Sequence, residues 1–501
     1  MCVLWAKSMV GHCQRDDERL LQCMDVEKLD SEVPMPSGSE VYEELKLLSR
    51  ISYPMILTGI LVYVRSLISM LFLGRLGEAA LAAGSLSIGF ANITGYSIIF
   101  GLATGMEPIC GQAYGAQNWS ILGPALIRTI VFLIISSLPI SLLWLHMDHI
   151  LLLLGQEATI IHMAKTYILF SLPDLFAQAL LHPLRIYLRS QNITFPIAIC
   201  SGIATLFHLP INLLLVQTLD LGIKGVALGV VFTNFNLVFL LLIYIYYSGV
   251  YQMSWKGFSQ ECLQEWKSFL TLAIPSCVSI CLEWWWYEFM IILCGLLLNP
   301  EAKVAAMGVL IQFTSLIYVF PSSLSMGVST RVANELGARE PAKAKRAAMV
   351  GSGLAIVMGL GALSFATLLR NYWGMMFTKD YDILRLTKIA LPILGLCELG
   401  NCPQTTMCGV LRGSARPNIG ANVNLGAFYF IGMPVALVLA FKVKIGFSGL
   451  WLGLLVAQIS CAVTLGVVVI RTNWVVQAQR AEELTKFDGY QKLSERGEVG
   501  S

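Results

Sequence analysis

The chain carries one message twice. Six apolar spans are followed by six more with matching punctuation. Glu44, ten residues before Pro54, is answered by Glu265 before Pro275, and GEAALAAG (77–84) by PEAKVAAM (300–307). CGQAYGA (110–116) pairs with RVANELGA (331–338), YLRSQ (187–191) with VLRGS (410–414), and LGIKGVALG (221–229) with IGFSGLWLG (445–453). A repeated set of apolar spans folds as two similar helical bundles, and such halves enclose a cavity that rocking exposes to alternate sides of a membrane.

Of the 501 residues, 56% are hydrophobic and 13% charged, about half the charge of a soluble domain. Spans are predicted near 51–73, 81–105, 123–145, 159–182, 195–217, 222–247, 268–297, 303–328, 347–369, 385–410, 418–440 and 446–470. Each is long enough to cross about 30 Å of hydrocarbon as a helix. Continuous apolar runs without two-residue alternation exclude a barrel. The expectation is an all-α integral membrane protein, with twelve transmembrane helices in two pseudo-symmetric six-helix bundles. The N-lobe takes 51–247 and the C-lobe 268–470. A polar amino-terminal tail (1–50), an inter-lobe loop (248–267) and a carboxyl tail (471–501) flank them.

Lys and Arg set the orientation. They concentrate on one side, above all at Arg331, Arg339, Lys343, Lys345 and Arg346, which places both termini in the cytoplasm. Residues 1–50 carry ten Asp and Glu against six Lys and Arg, too acidic for an organellar transit peptide and lacking the apolar core of a cleaved signal. Residues 1–45 and 474–501 read as disordered or loosely helical solvated ends. The 13 cysteines are scattered, mostly within spans, and give no case for a disulfide framework or a metal centre. The sequons at Asn92, Asn118 and Asn192 fall in a span or on the cytoplasmic side and are expected to stay unmodified.

A carboxylate at mid-membrane costs several kcal/mol, so each one needs a reason. CLEWWWYE (281–288) places Glu283 and Glu288 five residues apart in the seventh span. They point about 140° from one another, and Tyr287 shares the face of Glu283. A carboxyl group kept dry favours its neutral form, so it can take a proton from one compartment and release it to another. Trp284, Trp285 and Trp286 either lay a ring against an organic cation or flat solute, or pack and anchor the helix at the interface.

In the tenth span CELGNCPQ (397–404) sets Glu398 and Asn401 one turn apart, before Pro403. A proline there leaves carbonyls free, a way of building an ion or solute site. Asp174, directly after Pro173, sits at comparable depth in the first half. Arg65, in the first span, either snorkels to the outer interface or faces the cavity, where it favours an anionic solute or holds a carboxylate charged. Glu107 reads as a helix-end cap. Asn92, Thr94, Tyr96 and Tyr318 either line a cavity or bond helix to helix.

CGQAYGA, CLEWWWYE, STRVANELGA and GVLRGSARP together resemble the plant DETOXIFICATION branch of the multidrug and toxic compound extrusion (MATE) family, over residues 41–472 or so. The resemblance implies twelve helices in two lobes and cation-coupled antiport of organic solutes. It maps the family's C-lobe acid onto Glu283, with Glu288 as the second acid of the motif. Where many relatives have an acid eleven positions before the Arg of the loop motif, this chain has Asn401, and its carboxylate lies one turn earlier at Glu398. Prokaryotic relatives with an N-lobe site carry an Asp where this chain has Ser69, so coupling is expected in the second half. The plant subgroup with GNCPQTT and EWWWYE tilts the solute towards small organic acids or hormone-like compounds, at endomembranes (late endosome, Golgi or vacuole) or the plasma membrane.

The resulting expectation is a proton-coupled antiporter exporting xenobiotics, metabolites or hormone-like solutes by alternating access. It needs no cofactor beyond the proton gradient, and its partners are solute, protons and lipid bilayer. It takes no nucleic acid and works as a monomer. No GxxxxGK[ST] loop offers a nucleotide site. A lipid or lipid-linked saccharide flippase shares the layout but needs a broad cationic groove, which one mid-span Arg does not supply. An enzyme is disfavoured because none of the six His (12, 146, 149, 162, 182, 208) pairs convincingly with a carboxylate inside a span.

Overall fold

Apolar runs of this length satisfy their backbone groups only by coiling. The computed structural model describes residues 37–153, 158–255, 257, 264, 266–298 and 300–497, almost all of them helical. Among the described residues, ten helices are long and apolar enough to cross a membrane: α1 (Gly38–Arg75), α2 (Glu78–Gly115), α3 (Trp119–Leu145), α5 (Phe195–Thr218), α6 (Gly222–Ser248), α7 (Trp266–Gly295), α8 (Pro300–Gly337), α9 (Pro341–Leu369), α11 (Pro417–Lys442) and α12 (Phe447–Ile470). Two more of 33 residues each, α4 (Ala158–Ser190) and α10 (Tyr381–Gly413), complete the twelve.

α4 and α10 are the more polar pair, and their neighbours explain how they are tolerated. α4 packs against α2, α3 and α6, and α10 against α8, α9 and α12. Each is wrapped by apolar helices, so its mid-helix polar groups, Asp174 in α4 and Glu398, Asn401 and Gln404 in α10, face protein rather than lipid. Prolines break the intrahelical ladder at Pro54, Pro173, Pro275, Pro321 and Pro403. A hydroxyl compensates the first: Thr58 donates to the Pro54 carbonyl at 2.9 Å.

The chain forms two compact units. One holds Tyr53–Met106 and Trp119–Cys281; the other holds the described residues up to Ser52, Glu107–Asn118, and the chain from Leu282 onward. The division runs through α1, α2 and α7 rather than through loops, because these helices are long enough to serve two packing environments.

The internal repeat is visible in the backbone. Every non-glycine residue with positive φ among the described ones has a counterpart in the other half: Gln117 with Arg339, Asn192 with Ala415, and Asp220 with Lys444. Each follows the end of a helix, where one left-handed residue stops the coil. The loop glycines are matched as well. A Cβ on Gly115 would collide with the Asn334 carbonyl, and one on Gly337 with the Gln112 carbonyl, so AYGA and ELGA let two backbones approach reciprocally.

Both predicted tails contain packed helix. Residues 38–50 are the first turns of α1, where Leu48 and Glu44 are buried. A final helix, α13 (Trp474–Gly497), buries Trp474, Val476, Ala478 and Ala481 against α8 and α9. Composition hid this, because a short apolar stripe is diluted by the polar face opposite. Most of the amino-terminal tail, and residues 256, 258–263 and 265 of the inter-lobe loop, lie outside the described residues.

Candidate functional site

The C-terminal unit gathers carboxylates from two helices. Glu283 of α7 is buried and accepts a hydrogen bond from Gln404 Nε2 of α10 at 3.2 Å, with Tyr318 of α8 and Thr405 beside the same carboxylate. Glu398, 1% exposed, accepts from Asn401 Nδ2 at 2.8 Å across one turn of α10. Asn401 in turn accepts from Thr405 Oγ1 at 3.4 Å. Tyr287 lies within electrostatic range of both acids, and they lie within range of each other. Trp284 hydrogen-bonds Tyr318. The side-chain oxygen of Gln404 is buried without a partner, an acceptor left for an incoming donor.

The neighbouring cation is engaged elsewhere. Arg412 gives Nε to Glu107 at 3.3 Å and Nη2 to Ser325 at 2.9 Å, and Ser329 also donates to Glu107 at 2.7 Å. Glu107 is thus a buried ion-pair partner of Arg412, a structural role. Glu288 stands apart: it is half-buried, looks away from Glu283, and has no hydrogen bond or ion pair among the described residues. Of the tryptophans, Trp286 packs against Phe428 and Tyr429 as core.

The N-terminal unit is built differently. Asp174 of α4 accepts from Tyr96 at 2.8 Å, from Asn234 at 2.6 Å and from Gln178 at 3.5 Å. Tyr96 closes a wide π-helical turn opened by Asn92, a distortion often found where a helix must aim side chains at a site. Thr94 in the same turn accepts from Trp144 Nε1 at 2.9 Å, which makes it an interhelical bond. Arg65 is 8% exposed and within range of Asp174 and Tyr96, so it turns inward and does not snorkel. Ser69 meets His208 Nε2 at 3.0 Å, and the other ring nitrogen meets Thr233 at 2.7 Å.

The structure thus brings Glu283, Glu398, Asn401, Trp284, Tyr287 and Tyr318 into one cluster, and Asp174, Arg65 and the turn containing Asn92 into another. It leaves Glu288 outside both. Sequence reasoning passed over Gln404 and Arg185. Gln404 was legible as a polar residue one turn beyond Asn401; Arg185, near a helix end rich in Arg, looked like an ordinary cytoplasmic charge.

Twelve long helices in two repeated sets, each with ionisable groups buried at mid-helix, define a membrane transporter. The chain belongs to the MatE family, whose model matches residues 54–214 and 275–438, once in each half. Members of this family are transporters, not enzymes. The chain is 57% identical to Protein DETOXIFICATION 48 of Arabidopsis thaliana over 95% of its own length and 90% of that protein's. To Protein DETOXIFICATION 49 of the same plant it is 60% identical over 89% of each. A crystal structure of the eukaryotic MATE transporter AtDTX14 superimposes with a TM-score of 0.86 at 35% identity, covering 89% of this chain and 99% of that one. A mutant of the Vibrio cholerae MATE transporter VcmN shares the fold at a TM-score of 0.79 and 17% identity, covering 88% of this chain and all of that one.

Proposed function

We propose that the protein is a proton-coupled antiporter that exports small organic solutes by alternating access, with Glu283 and Glu398 carrying the proton. The observation behind this reading is the pair of buried carboxyl groups in the C-terminal unit, bonded to the neutral amides of Gln404 and Asn401 and, among the described residues, with no arginine bonded to either. A carboxylate in that setting keeps the option of neutrality, whereas a direct ion pair would hold it charged. Facing an acidic lumen or exterior, the pair takes up a proton and solute leaves; facing the cytoplasm, the proton dissociates and solute binds. One pH unit supplies about 1.4 kcal/mol per proton, and about 2.3 kcal/mol more comes from one charge moving through 100 mV. That supports roughly tenfold accumulation per pH unit.

The protein resides in an endomembrane or the plasma membrane with both termini in the cytoplasm, where the positive-inside bias puts them, and acts as a monomer. The test is uptake of a panel of labelled solutes by proteoliposomes under an imposed pH gradient. Uptake should vanish with a protonophore and fall at least tenfold in Glu283→Gln. Full gradient-driven uptake in that variant would remove Glu283 from the proton path.

A further inference from the structure

We infer that the N-terminal unit holds an anion site, in which Arg65 and Arg185 grip the carboxylate, sulfonate or similar head group of an organic solute. Arg185 projects from α4, and its Nε and Nη2 atoms are buried with no hydrogen-bond partner. A guanidinium offers five N–H donors and cannot shed its charge, so burying it unmatched is costly unless a ligand supplies the acceptors. Arg65 is buried as a residue and makes no hydrogen bond among the described residues; Asp174, the carboxylate within its electrostatic range, accepts instead from Tyr96, Asn234 and Gln178.

The two guanidinium groups lie within electrostatic range of each other, and Arg65 is also within range of His208. Either guanidinium can meet an anionic head group through two parallel N–H donors. Their absence from the other half argues that packing does not require them. Counting from the paired prolines Pro54 and Pro275, Arg65 corresponds to Trp286; counting from the paired Arg189 and Arg412, Arg185 corresponds to Cys408. The apolar counterparts fill the same places in the same fold.

This site deepens the antiport reading and rests on it for the direction of transport, but its binding chemistry is tested without a gradient. The probe is 1-naphthalenesulfonate, with uncharged 1-naphthalenemethanol and cationic N-methylquinolinium as comparisons, measured by equilibrium dialysis on the full chain in phosphatidylcholine nanodiscs at one pH. Wild-type protein should bind the sulfonate at least tenfold more tightly than either comparison. Arg65→Gln and Arg185→Gln should each weaken it about tenfold or more, Arg185→Lys should restore part of the loss, and the exposed Arg385→Gln should change nothing. If the glutamine variants do not fold, the wild-type ranking alone decides the anion preference.

Equal binding of the three probes, or full sulfonate affinity in folded Arg185→Gln, would overturn the site. Loss of binding when phosphatidylglycerol is added would overturn the solute assignment in favour of a lipid head group. Anion binding without any gradient-driven transport would sink the antiport reading alone. Proton-driven transport of N-methylquinolinium by protein that ignores the sulfonate would sink the anion site alone.

Discussion

The two halves share a fold and invert its charge. In the C-terminal half Arg412, the arginine within range of Glu283, is tied to Glu107, and Arg331, farther along α8, to Glu44 and Glu335. Glu283 and Glu398 are left with neutral partners. In the N-terminal half the carboxylate of Asp174 accepts from neutral donors, and the guanidinium groups of Arg65 and Arg185 make no hydrogen bond among the described residues. The positions corresponding to Glu283 and Glu288 are Val62 and Leu67. On the proposed reading, one repeated scaffold carries its proton-taking acids in one half and its anion-binding guanidinium groups in the other. A charge that is bonded on every side is structural; a charge left with an open partner is available for protons or solute.

The contrast can be broken at its most structural point. Arg331 binds Glu44 through Nε at 2.9 Å and Nη2 at 3.0 Å, and Glu335 through Nη1 at 2.6 Å. Arg331→Ala strands the buried Glu44 carboxylate and the half-buried Glu335 and should cost about 3–5 kcal/mol, read as a lowered melting temperature in detergent. Asp174→Ala leaves Tyr96 and Asn234 without their acceptor and should cost about 1–3 kcal/mol. The peripheral pair of Asp148 and Lys165 in the N-terminal unit supplies a smaller effect. Its hydrogen bond to Lys165 holds the Asp148 carboxyl at about 2. The folded value lies below the unfolded one, so its contribution is complete above about pH 4 and fades as pH falls through about 2. Asp148→Asn should cost less than about 1 kcal/mol and flatten the acid limb of a melting-temperature profile. At the far end, Arg185→Met should cost nothing or raise the melting temperature, since it removes a charge with no bonded partner. A large loss there would class Arg185 with Arg331.

How much of this could be read in advance depended on whether a signal was local. The duplicated motifs gave the twelve spans, because each is a run of residues with a turn at its end. Glu283, Glu398 and Asn401 stood out, because polar groups within an apolar run have no cheap alternative. The spacing of Glu398 and Asn401 gave their shared face, and the structure adds the hydrogen bond between them. The bond from Arg412 to Glu107 was not legible in advance because the two lie 305 positions apart, a distance at which spacing says nothing. Arg65 had two readings in sequence, and only the fold, by bringing α4 and its Asp174 alongside, distinguishes them. The start of α1 and α13 escaped notice for the opposite reason: their apolar contacts are few and widely spaced, and burial appears only once α8 and α9 are in place.

The division of labour between the halves is tested most directly by solute-evoked proton flux in proteoliposomes containing a lumenal pH dye. Wild-type protein should move protons when a transported solute is added, and the double variant Glu283→Gln with Glu398→Gln should fall to the level of protein-free vesicles while still exchanging labelled solute at equal pH. Undiminished proton flux in the double variant would contradict the assignment of coupling to the acidic half.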